Sequence, residues 1–453
     1  MPPVGDTEEG GWAMAGEIAG LAHWELGFDE RGRPERAEVD ALLAEVPARG
    51  VTDLMVFTHG WNNDRGQARR LYQLWFQQVP GLLARPGAAT GPARVASVGV
   101  VWPSKRWADE PEPTAPAGGG AAGLEAAAPA APADDPALVE DLKDAFPGQR
   151  RARALDDLAR LLTERPEDAA ALARFQTLMG ELAGEPDAAR AEEDQGELAL
   201  VEDDPEAVFG RFADAVPRGG EGGAASLGDT FGRLWDGARE ALRQLTYFEM
   251  KKRAGVVGKD GLGPLLGQLG AAAPDLRIHL VGHSFGARLV SFALAGLPDP
   301  DASPVRMLYL LQGAFSHFAF ADALPTDPGR GGALTGMAAR VGGPLVASYS
   351  IHDLAVGRLY PLASLSSRDD AAAAEDLLFR WGGIGHDGAQ AVQATEMDLG
   401  PVGASYPFQP GRFLNLNANA IVNRGEPPSG AHSDIFHPEL VWAGLAAAGL
   451  VAG

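Results

Sequence analysis

A serine set between two glycines, Gly282-His283-Ser284-Phe285-Gly286, is the stretch of the chain whose spacing points most directly to chemistry. A serine hydroxyl is a poor nucleophile at neutral pH. It needs a base to take its proton and an acid to hold that base in the correct tautomer. Histidine suits the first task because its pKa of ~6.5 lets it accept and return a proton near pH 7. Downstream, His352-Asp353-Leu354 and then Ala431-His432-Ser433 supply an acid and a base in the chain order serine, acid, histidine. The set expected to carry acyl transfer is therefore Ser284 as nucleophile, His432 as base and Asp353 as acid.

Other residues compete for these roles. Asp434 lies two residues from His432 and offers a local alternative for orienting it, although such short-range pairs more often cap a loop. His386 and His437 are rival bases. His283 lies inside the serine motif, where packing in the turn is the simpler expectation. Acyl transfer also develops negative charge on a carbonyl oxygen, so hydrogen-bond donors must be aimed there in advance. The backbone N–H of Phe285 is one expected donor, and that of Trp61, in His59-Gly60-Trp61-Asn62, is the other. Gly60 permits the close approach.

These groups need strands to carry them. Leu276 to His283 is an apolar run entering the serine turn, and Ala287 to Leu297 leaves it as a helix; a Cβ at Gly282 or Gly286 is expected to collide with the neighbouring strand or helix. Thr52 to Thr58 reads as a buried parallel strand ending in His59-Gly60, and Arg94 to Trp102 as the next. Between them Asp64 is placed to cap a helix through Leu71, Leu74, Trp75 and Val79. Leu21 to Asp29 suggests an early edge strand or hairpin, and Glu35 to Val46 a short helix. After the motif, Val305–Leu311, Leu345–Ile351 and 413–418 are strand-like, each followed by polar residues, and Pro438–Leu450 closes the chain as a helix.

Taken together, Val56-Phe-Thr-His59-Gly60-Trp61-Asn62, Val281-Gly-His-Ser284-Phe-Gly286, Asp353 and His432 resemble the serine hydrolases of the α/β-hydrolase superfamily, on the lipase and esterase side. The resemblance covers roughly Thr52 to Trp107 and Phe231 to the C-terminus. It implies an α/β fold with a mostly parallel sheet of about eight strands flanked by helices. It also implies Ser284 as nucleophile, His432 as base, Asp353 as acid, Trp61 and Phe285 as oxyanion donors, and no metal or other cofactor. Residues 1–108 and 231–453 would form the catalytic domain. A large insertion, 109–230, would precede the nucleophile strand.

Composition sets that insertion apart. The chain of 453 residues has a formal net charge of -23. From Asp109 to Asp229 roughly 28 acidic residues face 10 basic ones, so about 18 of the excess negative charges fall in this segment. Pro111 to Pro136 is dominated by Ala, Pro and Gly and reads as a solvated linker. Leu138, Leu142 and Phe146, then Leu155, Leu158, Leu161 and Leu162, suggest one or two amphipathic helices before Met179. The insertion is expected to be a solvated spacer in large part, with a helical cover as the alternative.

Net negative charge disfavours nucleic acid, whose binding requires Lys and Arg to displace counterions. The chain has no cysteine, which excludes disulfides, thiolate metal sites and a cysteine nucleophile. Asp6, Glu8 and Glu9 stand where a secretory signal would need a basic region, and no apolar run reaches the ~18 residues of a membrane span. A cytoplasmic protein without stable membrane insertion is expected. The leading expectation is hydrolysis of a small-molecule carboxylic ester through an acyl-enzyme intermediate. Trp61, Trp102, Trp107, Trp381 and Phe315 are candidates to line the acyl pocket. Acyl transfer or thioester cleavage by the same triad is the alternative within catalysis. A non-catalytic module whose acidic insertion recruits a basic partner is the alternative outside it.

Overall fold

The computed structural model describes residues 16–61, 63–85, 94–104, 142–143, 145–183, 203–215, 227–299, 302–325, 327–358, 382–425 and 429–452. The linker 111–136 and the aromatic residues Trp107 and Trp381 lie outside them. The chain divides into two units, one of Met1–Ser104, Arg253–Asp353 and Ile384–Gly453, the other of Lys105–Lys252 and Leu354–Gly383.

The first unit is built on a sheet of nine strands in the order β1-β2-β4-β3-β5-β6-β7-β9-β8. These are β1 (Gly16–Ile18), β2 (Leu21–Gly27), β3 (Asp53–Thr58), β4 (Val95–Val101), β5 (Arg277–His283), β6 (Val305–Leu311), β7 (Leu345–Tyr349), β8 (Ala394–Asp398) and β9 (Phe413–Asn417). The β1–β2 pairing is antiparallel and every other pairing in the sheet is parallel. The hairpin at the near edge turns through Ala19 and Gly20, both at positive φ. Strand β3 is buried along its whole length, as a parallel strand covered on both faces must be.

The helices of this unit are α1 (Arg36–Ala48), α2 (Arg65–Phe76), α3 (Val79–Leu83), α8 (Gly263–Ala272), α9 (Phe285–Ala295), α11 (Ile384–Asp387) and α12 (Pro438–Ala447). Asp64 caps α2 as expected, accepting from Gln67 N at 2.8 Å while the Gln67 side chain reaches back to the Asp64 N–H. Helices α2, α3 and α12 share a core with Met55, Phe57, Tyr309 and Leu311, alternate residues that one face of the strands presents. Phe57 packs edge-on against Trp75 with ring centroids 5.2 Å apart. Helix α9 packs on β5, β3 and β6.

Two differences from the sequence reading concern the far edge. The sheet has nine strands, because Ala394–Asp398 forms β8 parallel to β9. This segment carries Glu396 and Asp398 and lies mostly exposed at the edge, so it shows none of the apolar patterning that marks a buried strand. Strand β7 ends at Tyr349, two residues early. There the Ser350 hydroxyl donates to Val422 O at 2.7 Å, and Ile351 N donates to the Asn419 side chain at 2.9 Å, which takes the chain out of the ladder.

The second unit contains α4 (Gln149–Glu164), α5 (Ala169–Ala183), α6 (Pro205–Ala215), α10 (Leu354–Arg358) and most of the 30-residue α7 (Leu227–Val256). Amphipathic helices were expected before Met179, and α4 buries the anticipated Leu155, Leu158, Leu161 and Leu162. Their core is aromatic: Phe175 meets both Phe209 and Trp235 edge-on, with centroids 5.8 and 5.6 Å apart. The Trp235 indole N–H donates to Pro166 O at 3.0 Å. The described helices of this unit thus have a packed interior of their own.

Candidate functional site

Strand β5 delivers Ser284 at φ 58 and ψ -123, a backbone conformation that costs a non-glycine residue about 1–3 kcal/mol. The surrounding residues over-determine it. Ser284 N donates to Leu311 O at 3.0 Å, and Ala314 N donates to Ser284 O at 3.2 Å, so the end of β6 grips both sides of the serine peptide. The two glycines of the motif are required by close approach. A Cβ on Gly282 would run into the Gly286 carbonyl, and one on Gly286 into the carbonyl oxygens of Thr58 and His59. The turn therefore holds β5, α9 and the end of β3 in one tight knot. Ser284 is 5% exposed at its centre.

The expected acid and the expected base meet. Asp353, fully buried, follows the end of β7, and its backbone forms an isolated bridge with Gly430. Ala431 N donates to His352 O at 2.8 Å, drawing the two loops together. His432 Nδ1 then lies 2.7 Å from Asp353 Oδ2. A carboxylate oxygen only accepts, so the proton sits on Nδ1 and Nε2 carries the lone pair a general base needs. Among the described residues no hydrogen bond joins Ser284 Oγ to His432. The two are linked through His283, whose ring centroid is 4.9 Å from that of His432 and whose Nε2 is 2.8 Å from the His432 carbonyl oxygen.

The rival assignments resolve into local structure. Asp434 accepts from the backbone N–H groups of Asn423 and Arg424 at 3.1 and 3.0 Å, and from His437 Nε2 at 2.8 Å. Burial works to raise its pKa, but these donors hold it below the usual carboxylate value. Asp434 and His437 thus cap a loop together. His386 lies in the short helix α11. Beside it is a pair that sequence reasoning did not pick out, His317 with Nδ1 2.9 and 2.8 Å from the two Asp387 oxygens, which ties the loop after β6 to α11. Nothing in the local sequence around His317 marks that pairing.

The loop after β3 presses on Ser284. A Cβ on Gly60 would lie 2.6 Å from Ser284 Cβ and 3.1 Å from Ser284 Oγ. This loop is fixed from behind by a set of hydrogen bonds. The Tyr72 hydroxyl accepts from His59 N at 3.2 Å and donates to Val100 O at 2.5 Å, with the Tyr72 ring occupying the space a side chain at Gly99 would fill. The Trp102 indole donates to His59 O at 3.0 Å and stacks on the His59 ring at 5.6 Å. Asn63 donates its side-chain amide to Trp61 O at 2.8 Å and Gly60 O at 3.3 Å, while its backbone exchanges hydrogen bonds with the Ser104 hydroxyl. Burial lowers His59 to about 4, so the ring is neutral, and its Nδ1–H donates to Gly60 O at 2.8 Å.

Tyr72, Asn63 and Ser104 were absent from the sequence reading. Asn63 follows the loop motif directly, whereas Tyr72 reads as ordinary helix core and Ser104 is brought in only by the pairing of β3 with β4. Of the aromatic residues proposed as pocket lining, Trp102 and Phe315 are buried and Trp102 packs on His59. Trp61 is half-buried, with its ring 6.1 Å from that of Phe285. These are the two residues whose N–H groups were the expected donors, and Phe285 directly follows Ser284.

Among the described residues no group of His, Asp and Glu side chains is arranged to hold a metal ion, and no helix is long and apolar enough to cross a membrane. What sheet and site define together is an α/β protein with a serine, a histidine–carboxylate pair and a glycine loop at the carboxyl ends of its parallel strands. No family model, curated protein or solved structure matches the chain.

Proposed function

We propose that the protein is a serine hydrolase of the α/β-hydrolase type that cleaves a carboxylic ester of a small molecule through an acyl-enzyme intermediate. The observation that carries this reading is the 2.7 Å pair of His432 Nδ1 and Asp353, held by His283 beside a serine at positive φ. A histidine that donates through Nδ1 keeps the Nε2 lone pair that a general base needs, and here that ring stands beside the turn that carries Ser284.

In the proposed cycle, substrate entry brings Ser284 Oγ and His432 Nε2 into hydrogen-bond contact, a closure common in sites that are looser when empty. His432 takes the hydroxyl proton as Oγ attacks the ester carbonyl. Asp353 stabilises the imidazolium without taking the proton. The oxyanion accepts hydrogen bonds from the N–H groups of Trp61 and Phe285, each worth about 3 kcal/mol of transition-state stabilisation. The ester C–O bond then breaks, and the alcohol leaves with the proton from His432 Nε2. Water, deprotonated by the same nitrogen, attacks the acyl-enzyme and releases the carboxylic acid and free Ser284.

A fluorophosphonate probe tests this proposal. The expected result is covalent labelling of folded protein at Ser284, lost in Ser284→Ala and strongly slowed in His432→Ala, with turnover of p-nitrophenyl esters lost in parallel. Absence of labelling in the folded wild-type chain would remove the hydrolase reading.

A further inference from the structure

His283, the residue before the nucleophile, was expected only to pack in the turn. Its surroundings ask for more. The ring is buried, and its Nε2 lies 2.8 Å from the main-chain oxygen of His432. A carbonyl oxygen only accepts, so Nε2 carries a proton. Burial, followed by the nearby His432 ring, lowers His283 to about 3, so the ring is neutral and Nδ1 holds a bare lone pair. That Nδ1 is buried and has no hydrogen-bond partner among the described residues. Leaving a buried acceptor unpaired carries a desolvation penalty that a phenyl ring of the same shape would avoid. The imidazole is therefore a poor choice for packing alone, and the bond that its other nitrogen makes is the one feature a phenyl ring lacks.

We propose that His283 is a positioning residue for catalysis, whose Nε2–H fastens the main chain of His432 to the nucleophile turn while Asp353 fixes the same residue's ring. The two holds are complementary. Asp353 sets tautomer and tilt through Nδ1, and His283 sets where the backbone of the base stands relative to Ser284. Because both contacts fall on His432 and one comes from the residue adjoining Ser284, the distance between nucleophile and base is set by a path of one hydrogen bond and one peptide step. His432 stands fifteen residues beyond Asn417, the last residue of β9, and its neighbour Ala431 is tied to His352 while His432 itself is tied to the nucleophile turn.

This inference rests on the serine-hydrolase reading, and its test separates the two. His283→Phe keeps the ring and removes the donor; His283→Gln supplies an amide donor able to reach the same oxygen. Displacing a base by an ångström costs on the order of 10²-fold, so His283→Phe is expected to lower kcat about 10- to 100-fold with KM changed by no more than about two-fold. Fluorophosphonate labelling of Ser284 should slow by a similar factor. His283→Gln should recover most of the lost rate. If His283→Phe does not fold, His283→Asn, whose amide is too short to reach, takes its place in the comparison with His283→Gln. Wild-type kcat in the donor-less variant, or equal impairment with and without the amide, overturns the positioning role while leaving the hydrolase intact. Failure of the wild-type protein to label at Ser284 overturns both.

Discussion

Gly60 and Ser284 stand so close that a methyl group on residue 60 would lie 2.6 Å from the serine Cβ. The glycine is thus a steric condition on the placement of Ser284 rather than a simple turn residue. Gly60→Ala is expected to cut kcat on the order of 10²- to 10³-fold by displacing the loop that carries the proposed Trp61 donor. The overpacking itself should cost about 1–3 kcal/mol of stability. Steady-state kinetics with a parallel denaturant titration measures both, and an active Gly60→Ala enzyme would show that the loop takes no part in the reaction.

Tyr72 acts on the same loop from a distance. Tyr72→Phe retains the ring that lies over Gly99 but leaves His59 N and Val100 O without their shared hydroxyl. Unpaired buried groups of this kind cost about 1–3 kcal/mol of stability. Loss of loop order should lower kcat about ten-fold with little change in KM, the pattern of a mispositioned site rather than a lost binding contact. A rise in KM at constant kcat would contradict this account.

Asp353→Asn tests the tautomer argument. An amide in place of the carboxylate leaves the shape nearly unchanged but can offer Nδ1 of His432 a donor, which favours the wrong tautomer and withdraws the stabilising charge. The expected loss in kcat is on the order of 10³- to 10⁴-fold with the fold retained. Near-normal turnover would transfer the acid role to another carboxylate.

Buried histidines set a pH dependence of stability. Burial lowers His23 to about 4, His59 to about 4 and His283 to about 3, each below the unfolded value of 6.5. Such a group is neutral in both states above pH 6.5. As pH falls from 6.5 towards 4 the unfolded chain binds protons that the folded chain refuses, so stability is lost across that window. The slope is about 1.4 kcal/mol per pH unit for each histidine. Burial also lowers His279, so guanidinium unfolding between pH 7 and 4.5 should show stability falling with net proton uptake by the unfolded chain, and His23→Gln should remove about one of those protons. A flat profile would mean that these rings titrate normally in the folded protein.

The parts of the fold that a reader of the sequence finds are those in which burial and turn chemistry agree. Ser284, Asp353 and His432 were singled out for their order after strand-like runs; the structure brings Asp353 and His432 into hydrogen-bond contact, while among the described residues no hydrogen bond joins Ser284 Oγ to His432. Asp64 was legible because a cap is a local device. Strand β8 was hidden because Glu396 and Asp398 give an edge strand the look of a loop. The support behind the glycine loop was hidden because its members, Tyr72, Trp102 and Ser104, lie far from it in sequence, and each has an ordinary role as core or turn residue. His283 was read by its position within the motif, whereas its partner comes from a loop 149 residues away.

The hidden strand changes what the segment leading to His432 depends on. With β8 outside it, β9 is hydrogen-bonded on both sides, to β7 and to β8. End fraying, which opens edge strands first, is thereby kept one strand away from the segment that leads to His432. The acidic side chains of β8 also discourage another chain from adding to that edge. Amide exchange would read this as a gradient, fast in 394–398 and slow in 413–417: a sacrificial margin that lets the sheet breathe without loosening the approach to the base.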